Sequence, residues 1–320
     1  RLGAAPFVAV DTEFMRERTY FPVLCLVQVA GTDGAFAIDA LAEGIDLSPL
    51  RALLAAPDTV KVMHGARQDV EIFLNLWGEA PHPLFDTQAA AAVCGYGDQI
   101  GLEALIQRTA GKRLDKASRF TDWSRRPLSP RQLAYALDDV ALLRPAYDVL
   151  LAELGRTGRT GWLEEEFAHL TDAASYRSAP TEMWRKLKPR TSDRRALAVL
   201  REAAAWREAE AIARNLPRGW VVKDETLMEL SAHPPKDPAA LEQLRGVSKG
   251  FADSRAGQAL LDAVKRALAL PADALPEPPE EPQPKRGAGP IADLLKVLLK
   301  HKCDEHRVAS RLVASASDID

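Results

Sequence analysis

An α/β domain with a mixed sheet, followed by an all-helical segment, is the fold class the sequence predicts. Three observations carry that prediction. Short apolar runs at 7–10, 23–29 and 35–38 are joined by links that hold no good helix. Strand-like and helix-like patterns then alternate between residues 47 and 93. From 194 to 268 the pattern is helical throughout, with short breaks. With 320 residues, 47% of them apolar, the chain has room for two cores.

The first three strands must pair antiparallel, because a parallel crossover needs a dozen or more residues. Residues 47–55 then read as a helix and Val60–Met63 as a strand. Val70, Phe73, Leu74 and Trp77 recur at helical spacing. A short strand starts at 84–85, and 88–93 reads as a helix. Such alternation implies parallel βα units. An antiparallel three-strand meander feeding parallel strands is the plan of the ribonuclease H-like mixed sheet.

A long helical pattern follows from about 131 to 154, with Ser129-Pro130 as its cap and first turn. "GRTGRTG" (155–161) breaks it, and another helix runs from about 162 to 177. "LAVLREAAAWREAEAIARNL" is amphipathic, and Asp224 is placed to cap the helix after it. Seven prolines in residues 271–290 exclude regular structure and mark a linker. Residues 291–314 turn helical again. Aligning Trp206 with Cys303 gives a faint repeat, as if a second, truncated helical module began at 291. The expected organisation is thus residues 1–175, 176–270, a linker at 271–290, and 291–320. The chain has no initial Met and opens almost directly on a strand, as a trimmed piece would.

A net charge of −3 shows no global basic field. From 177 to 223, however, there are 12 Lys/Arg against 5 Asp/Glu, a local excess suited to a polyanion. Solvated basic helix faces would give the same count. Three cysteines (Cys25, Cys94, Cys303) make no paired framework, so a reducing, cytoplasmic setting is expected. The longest uncharged stretch, 19–32, has 14 residues, too few to span a membrane as a helix. His301, Cys303 and His306 in "HKCDEHRV" have no zinc-site spacing and no fourth ligand, and are expected on a solvated face.

Acidic residues carry the chemistry. Asp11 and Glu13 are two apart on the first strand and face the same way. Alone, the pair is equally a solvated strand end. Asp69, in "HGARQDVEIF", sits one turn into the helix after the fourth strand, where the helix dipole also favours an acid. Tyr135 and Asp139, in "LAYALDDVALL", are four apart on one face of the long helix, with Asp138 rotated away. Solvated aspartates on a half-exposed helix would read alike. Together, four acids and a tyrosine on three elements suggest a cage for hard divalent cations, Mg²⁺ or Mn²⁺. Two such ions can hold both oxygens of a phosphoryl transfer.

The motifs "DTE", "HGARQDVEIF" and "YALDD" resemble the DEDD family of 3′-to-5′ exonucleases, and Y-x-x-x-D marks its tyrosine branch. "DTEFMRERTYFPVLCLVQVA", "FDTQAAA" and "TDWSRRPLSPRQLAYALDDV" are similar to the bacterial ribonuclease D family. "LREAAAWREAEAIARNLPRGWVVKDETLMEL" resembles the helical, nucleic-acid-binding HRDC domain. The resemblance implies that Asp11, Glu13, Asp69 and Asp139 hold two metal ions. Asp11 would bridge both, Glu13 and Asp139 would complete the water-activating site, and Asp69 would hold the second ion through water. Tyr135 would orient the attacking water, being a poor base with a pKa near ~10. Thr12, Phe14, Met15, His64, Arg125 and Arg126 become candidate contacts to the RNA 3′ end. The activity implied is release of 5′-mononucleotides from tRNA precursors and other small RNAs by a monomer with no membrane partner. A single-stranded DNA exonuclease and a non-catalytic RNA-binding module are the alternatives.

Overall fold

The structure is a computed structural model, and it describes residues 2–114, 121–177, 179–278 and 288–319. Two compact units divide the chain. The first comprises 1–15, 23–176 and 283–320; the second comprises 16–22 and 177–282.

The first unit is built on five strands: β1 (Phe7–Met15), β2 (Val23–Gly31), β3 (Gly34–Asp39), β4 (Val60–Met63) and β5 (Leu84–Asp86). Their order is β3-β2-β1-β4-β5. The first three pair antiparallel, and β1–β4 and β4–β5 pair parallel, so the expected mixed sheet is present. The helices are α1 (Ser48–Ala55), α2 (Arg67–Trp77), α3 (Thr87–Val93), α4 (Leu102–Ala110), α5 (Pro130–Thr157) and α6 (Glu164–Thr171). Period-2 alternation sorts the strand residues between two cores. Val8 and Val10 pack with α1 and α2, whereas Ala9, Ala30 and Val62 pack with α3 and α5. Helix α5 starts where Ser129-Pro130 indicated, with a capping box between Ser129 and Gln132. Helix α4 has no counterpart in the sequence expectations. Where a helix was expected over 162–177, a 3₁₀ turn leads into the shorter α6.

The C-terminal part of this unit holds α12 (Ala288–His306) and α13 (Ala316–Ile319). Helix α12 ends eight residues before the expected boundary at 314. Arg159 donates to the His306 and Arg307 carbonyls, and the Ala309 amide donates to the Ala92 carbonyl. Cys303 is buried, which corrects the expected solvated position; its thiol is small and apolar enough to pack.

The second unit is all-helical: α7 (Arg194–Arg214), α8 (Arg218–Val221), α9 (Asp224–Ala232), α10 (Pro238–Glu242) and α11 (Arg255–Leu268). Leu197, Leu200, Leu227, Leu241, Leu260 and Trp184 form its core. Asp224 does not cap α9. It is the first helical residue, and its carboxylate pairs with Arg207 at 2.6 Å. Residues 16–22 belong here through Tyr20, whose hydroxyl donates to Glu208 at 2.5 Å, and through the Phe21 amide, which donates to the Asn215 side chain. Of the stretch 271–290 expected as a linker without regular structure, residues 279–287 lie outside the described residues, while Ala272–Ala274 forms a 3₁₀ turn and α12 begins at Ala288.

Gly257, on α11, sits where the chain from Phe251 and Ala252 passes closest. A Cβ there would strike the Phe251 carbonyl oxygen and stand 2.7 Å from the Ala252 Cα. Because those neighbours are backbone, Gly257→Ala is expected to cost about 1–3 kcal/mol. Thermal denaturation should show a lower Tm, and an unchanged Tm would mean that this crossing yields.

Candidate active site

The alternation of β1 splits its motif between two faces. Asp11 and Glu13 follow Ala9 onto the α5 face, while Thr12 follows Val10 onto the α2 face. Helix α5 brings Asp139 to the first face. One carboxylate oxygen from each of Asp11, Glu13 and Asp139 lies within 4.8 Å of the others. Asp139 is buried, whereas Asp138, rotated a quarter turn, is exposed. Tyr135, one turn earlier, lines a cavity of about 500 Å³ with Asp11, Asp139, His64, Gly65 and Gln68. Asp69, in the first turn of α2, stands on the other face and accepts a hydrogen bond from the Thr12 hydroxyl. It is therefore outside the three-acid cluster but close enough to act on Asp11.

Burial and like charge dominate the electrostatics. Burial, then the charges of Asp69, Asp139 and Glu13, hold the Asp11 carboxyl well above the usual range. Burial pushes Asp69 up to about 7, against the pull of the Thr12 hydrogen bond. Burial and the charges of Asp139, Glu13 and Asp11 raise the Tyr135 phenol far above its ordinary value. Acids this close, which together raise the pKa of Asp11, form the donor set a hard divalent cation requires: carboxylate oxygens, clustered and partly desolvated. The residues therefore fit such an ion on their own chemistry.

The surrounding side chains hold this arrangement. The Asp86 carboxylate accepts from the Gly65 and Ala66 amides at 3.1 and 2.8 Å and from the Gln88 amide at 2.7 Å. One acid thus caps α3 and ties down the turn into α2, which carries Asp69. Gly65 has φ of +63°, a backbone state that glycine enters without steric cost. Asp86 was not among the expected site residues. Its one sequence signal is an N-cap acid directly before "TQAAA". Gln28 pairs with Asp11 in register, and its buried side-chain amide has no hydrogen-bond partner among the described residues.

Tyr135 packs near Trp123, with ring centroids 6.1 Å apart. The segment carrying Trp123 is clamped by Arg126, which bonds to Asp39 at 2.5 Å and to the Cys25, Trp123 and Arg125 carbonyls. Arg126 is thus engaged within the fold, while Arg125 is largely exposed and pairs with Asp122 at 3.4 Å. Phe14 packs on the α1–α2 side and Met15 beside Trp123 and Tyr135, each partly buried. The His64 Nδ1 lies 2.9 Å from the Thr87 hydroxyl, and burial lowers the pKa of the ring.

Comparison with known proteins places this geometry in a class. Residues 1–155 match the 3′-5′ exonuclease family model, and residues 196–264 match the HRDC domain. The chain is 52% identical to ribonuclease D of Acidiphilium cryptum over 320 residues, covering all of this chain and 82% of that protein. It is equally 52% identical to ribonuclease D of Gluconacetobacter diazotrophicus, covering 81% of that protein. Its fold superposes on the crystal structure of Escherichia coli RNase D, "an exoribonuclease involved in structured RNA processing", with a TM-score of 0.87 and 35% identity, over 99% of this chain and 84% of that one. Fold and site together define a 3′-5′ exonuclease joined to an HRDC domain. The chain belongs to the ribonuclease D family, and it is a hydrolase of the 3′-5′ exoribonuclease type.

Two outcomes are expected. Asp86→Asn places an amide N–H against backbone N–H groups, costing about 1–3 kcal/mol in chemical denaturation. Mn²⁺ affinity, read by calorimetry, should fall about tenfold or more as the Asp69 turn loosens. Unchanged affinity would leave Asp86 a simple helix cap. Secondly, raised carboxyl pKa values mean that the metal-free fold holds protons the unfolded chain has released. Its stability should fall as pH rises from the ordinary carboxylate range near ~4 to about 7. A cation replaces those protons, so the Mn²⁺-induced rise in Tm should be larger at pH 8 than at pH 5.5; a rise independent of pH would argue against these ligands.

Proposed function

We propose that the enzyme removes 5′-mononucleotides one at a time from RNA 3′ ends, with Asp11, Glu13, Asp69 and Asp139 holding two divalent cations, Mg²⁺ or Mn²⁺. The observation that carries this is the cluster of Asp11, Glu13 and Asp139 oxygens within 4.8 Å, open to a cavity that Tyr135 also lines. When bound, the cations supply Lewis acidity for the attacking water and for the departing 3′ oxygen. The Asp11 pKa responds to all three other acids, which suits a bridging position. Asp69 stands outside the three-acid cluster but acts on Asp11 through its charge, in keeping with a ligand to the second ion through water.

Tyr135 orients the water. Its raised pKa keeps the phenol protonated at neutral pH, so it is a hydrogen-bond partner and not the base. Phe14 and Met15, next along β1, offer partly buried apolar surface to the terminal base, with Thr12, His64 and Arg125 as further contacts. Stacking tolerates any base, as a processing enzyme requires. Substrates of the tRNA-precursor and small-RNA class follow from the family resemblance and from the E. coli relative's role in structured RNA processing. The HRDC unit, with its basic excess, would hold RNA phosphates.

We also propose that α12 opens a second helical module. Ile291, Leu294, Val297 and Leu298 form an exposed apolar stripe on it, the pattern of a helix with a face left to pack. No described helix is long and apolar enough to cross a membrane. The three free cysteines are buried, as a reducing cytoplasm permits.

The decisive assay is 3′ trimming of matched RNA and DNA oligonucleotides with Mg²⁺ or Mn²⁺. Faster DNA degradation would favour a single-stranded DNA exonuclease, since carboxylates do not read the 2′ hydroxyl. Asp11→Asn should abolish trimming while RNA binding persists, and residual trimming near the wild-type rate would refute the metal assignment. Asp139→Asn should abolish trimming while exposed Asp138→Asn retains it. Tyr135→Phe should lower kcat strongly, with the Mn²⁺-induced Tm rise kept; a wild-type rate would show that the hydroxyl is not used.

A further inference from the structure

Gln88 lines the catalytic cavity without being one of its acids. It shares that space of about 500 Å³ with Asp11, Asp139, Tyr135 and Gly65. Both parts of the residue are anchored. Its backbone amide donates to the Asp86 carboxylate at 2.7 Å, in the first turn of α3. Its side-chain Nε2 donates to the Ile100 carbonyl at 3.0 Å. This second bond fixes which end of the carboxamide points where. The reverse orientation would set two acceptor oxygens against each other. The Oε1 atom is left with no hydrogen-bond partner among the described residues. It lies toward Gly65, where a Cβ would stand 3.4 Å from it, closer than to any other atom outside the adjoining residues. Because residue 65 has no side chain, the oxygen stays uncovered on that wall of the cavity.

A fixed acceptor in this cavity calls for a donor on the strand. Phosphate oxygens only accept hydrogen bonds, so they do not fit it. Base edges do carry N–H donors, but in patterns that differ from base to base. An acceptor that read them would make trimming base-selective, which stacking at the 3′ end avoids. The ribose 2′-hydroxyl is the donor that every ribonucleotide carries and every deoxyribonucleotide lacks.

We propose that Gln88 Oε1 accepts a hydrogen bond from a ribose 2′-hydroxyl of the strand in the cavity, making Gln88 a residue that favours RNA over DNA. The inference rests on the reading of the chain as an enzyme that trims RNA 3′ ends. It names the feature of the substrate that the carboxylates do not read. The bond to Ile100 matters because an acceptor oriented by the fold loses little freedom when the strand binds. A DNA strand would cover the same oxygen and supply no donor, which disfavours it.

The test is a cycle of substrate and enzyme variants on the full chain with Mn²⁺. Trimming of an oligouridylate RNA is compared with strands carrying a single 2′-deoxy nucleotide at each position near the 3′ end. Uridine is chosen because its base has no exocyclic amine. The enzymes are the wild type and Gln88→Met, which keeps the length of the side chain and loses the acceptor. In the wild type, one deoxy position should lower kcat/KM about tenfold, the effect of one lost hydrogen bond. Gln88→Met should slow the all-RNA strand by a similar factor, and the deoxy nucleotide at that position should then cost nothing further. The Mn²⁺-induced rise in Tm should match that of the wild type, because Gln88 is not a cation ligand. Additive losses from the two changes would overturn the assignment. So would a wild type indifferent to every single deoxy position, a result that needs no variant. A wild type that trims the all-DNA strand faster than the RNA would instead overturn the ribonuclease reading beneath it.

Discussion

Mutual repulsion among carboxylates at the end of β1 is the constraint on which the rest of the nuclease unit depends. Three acids lie within 4.8 Å, and a fourth raises the pKa of Asp11 from the opposite face. Two unit charges 4 Å apart repel by roughly 4 kcal/mol at the dielectric of a protein surface. A flexible chain would relax by moving them apart. Here they stay together because β1 lies in the middle of the sheet, paired with β2 on one side and β4 on the other. Part of the stability of the fold is thereby offset at the site, as catalytic centres commonly require.

The supports are placed where relaxation would be easiest. Asp86 holds the turn between β4 and α2 through two amides, beside Ala66, which is buried in the α1–α2 core. The entry to α5 is held by a capping box, and the segment before it is clamped by Arg126 against Asp39. Tyr135 gains a neighbour in Trp123. Apart from the capping box, these devices link residues distant in sequence, so the geometry of the acids is a property of the assembled sheet and not of any one segment.

The helical unit uses charge differently. Its buried ions are paired, as Glu208 is with Arg218 and Arg207 is with Asp224, and such pairs fix geometry more than they stabilise. They hold α8 and the start of α9 in place, so that aromatic and cationic side chains are presented on a rigid surface. Residues 16–22 share in this network through Tyr20, although they interrupt the β1–β2 hairpin in sequence.

Local periodicity was enough to read much of this chain. The strand runs at 7–10, 23–29, 35–38 and 60–63, the start of α5, the common face of Asp11 and Glu13, and the stripe joining Tyr135 to Asp139 all follow from periods of 2 and 3.6 residues, which a sequence displays directly. Tertiary structure decided what lies between distant residues. That Thr12 turns away from its neighbours to meet Asp69, that Asp86 serves a turn twenty residues earlier, that Arg126 is spent on Asp39, and that Asp224 pairs with Arg207 instead of capping α9 depend on contacts closed only by folding. Helix α4 went unread as well. A hydrogen bond between remote residues leaves no periodic trace, because its partners are set by the path of the chain and not by their spacing along it.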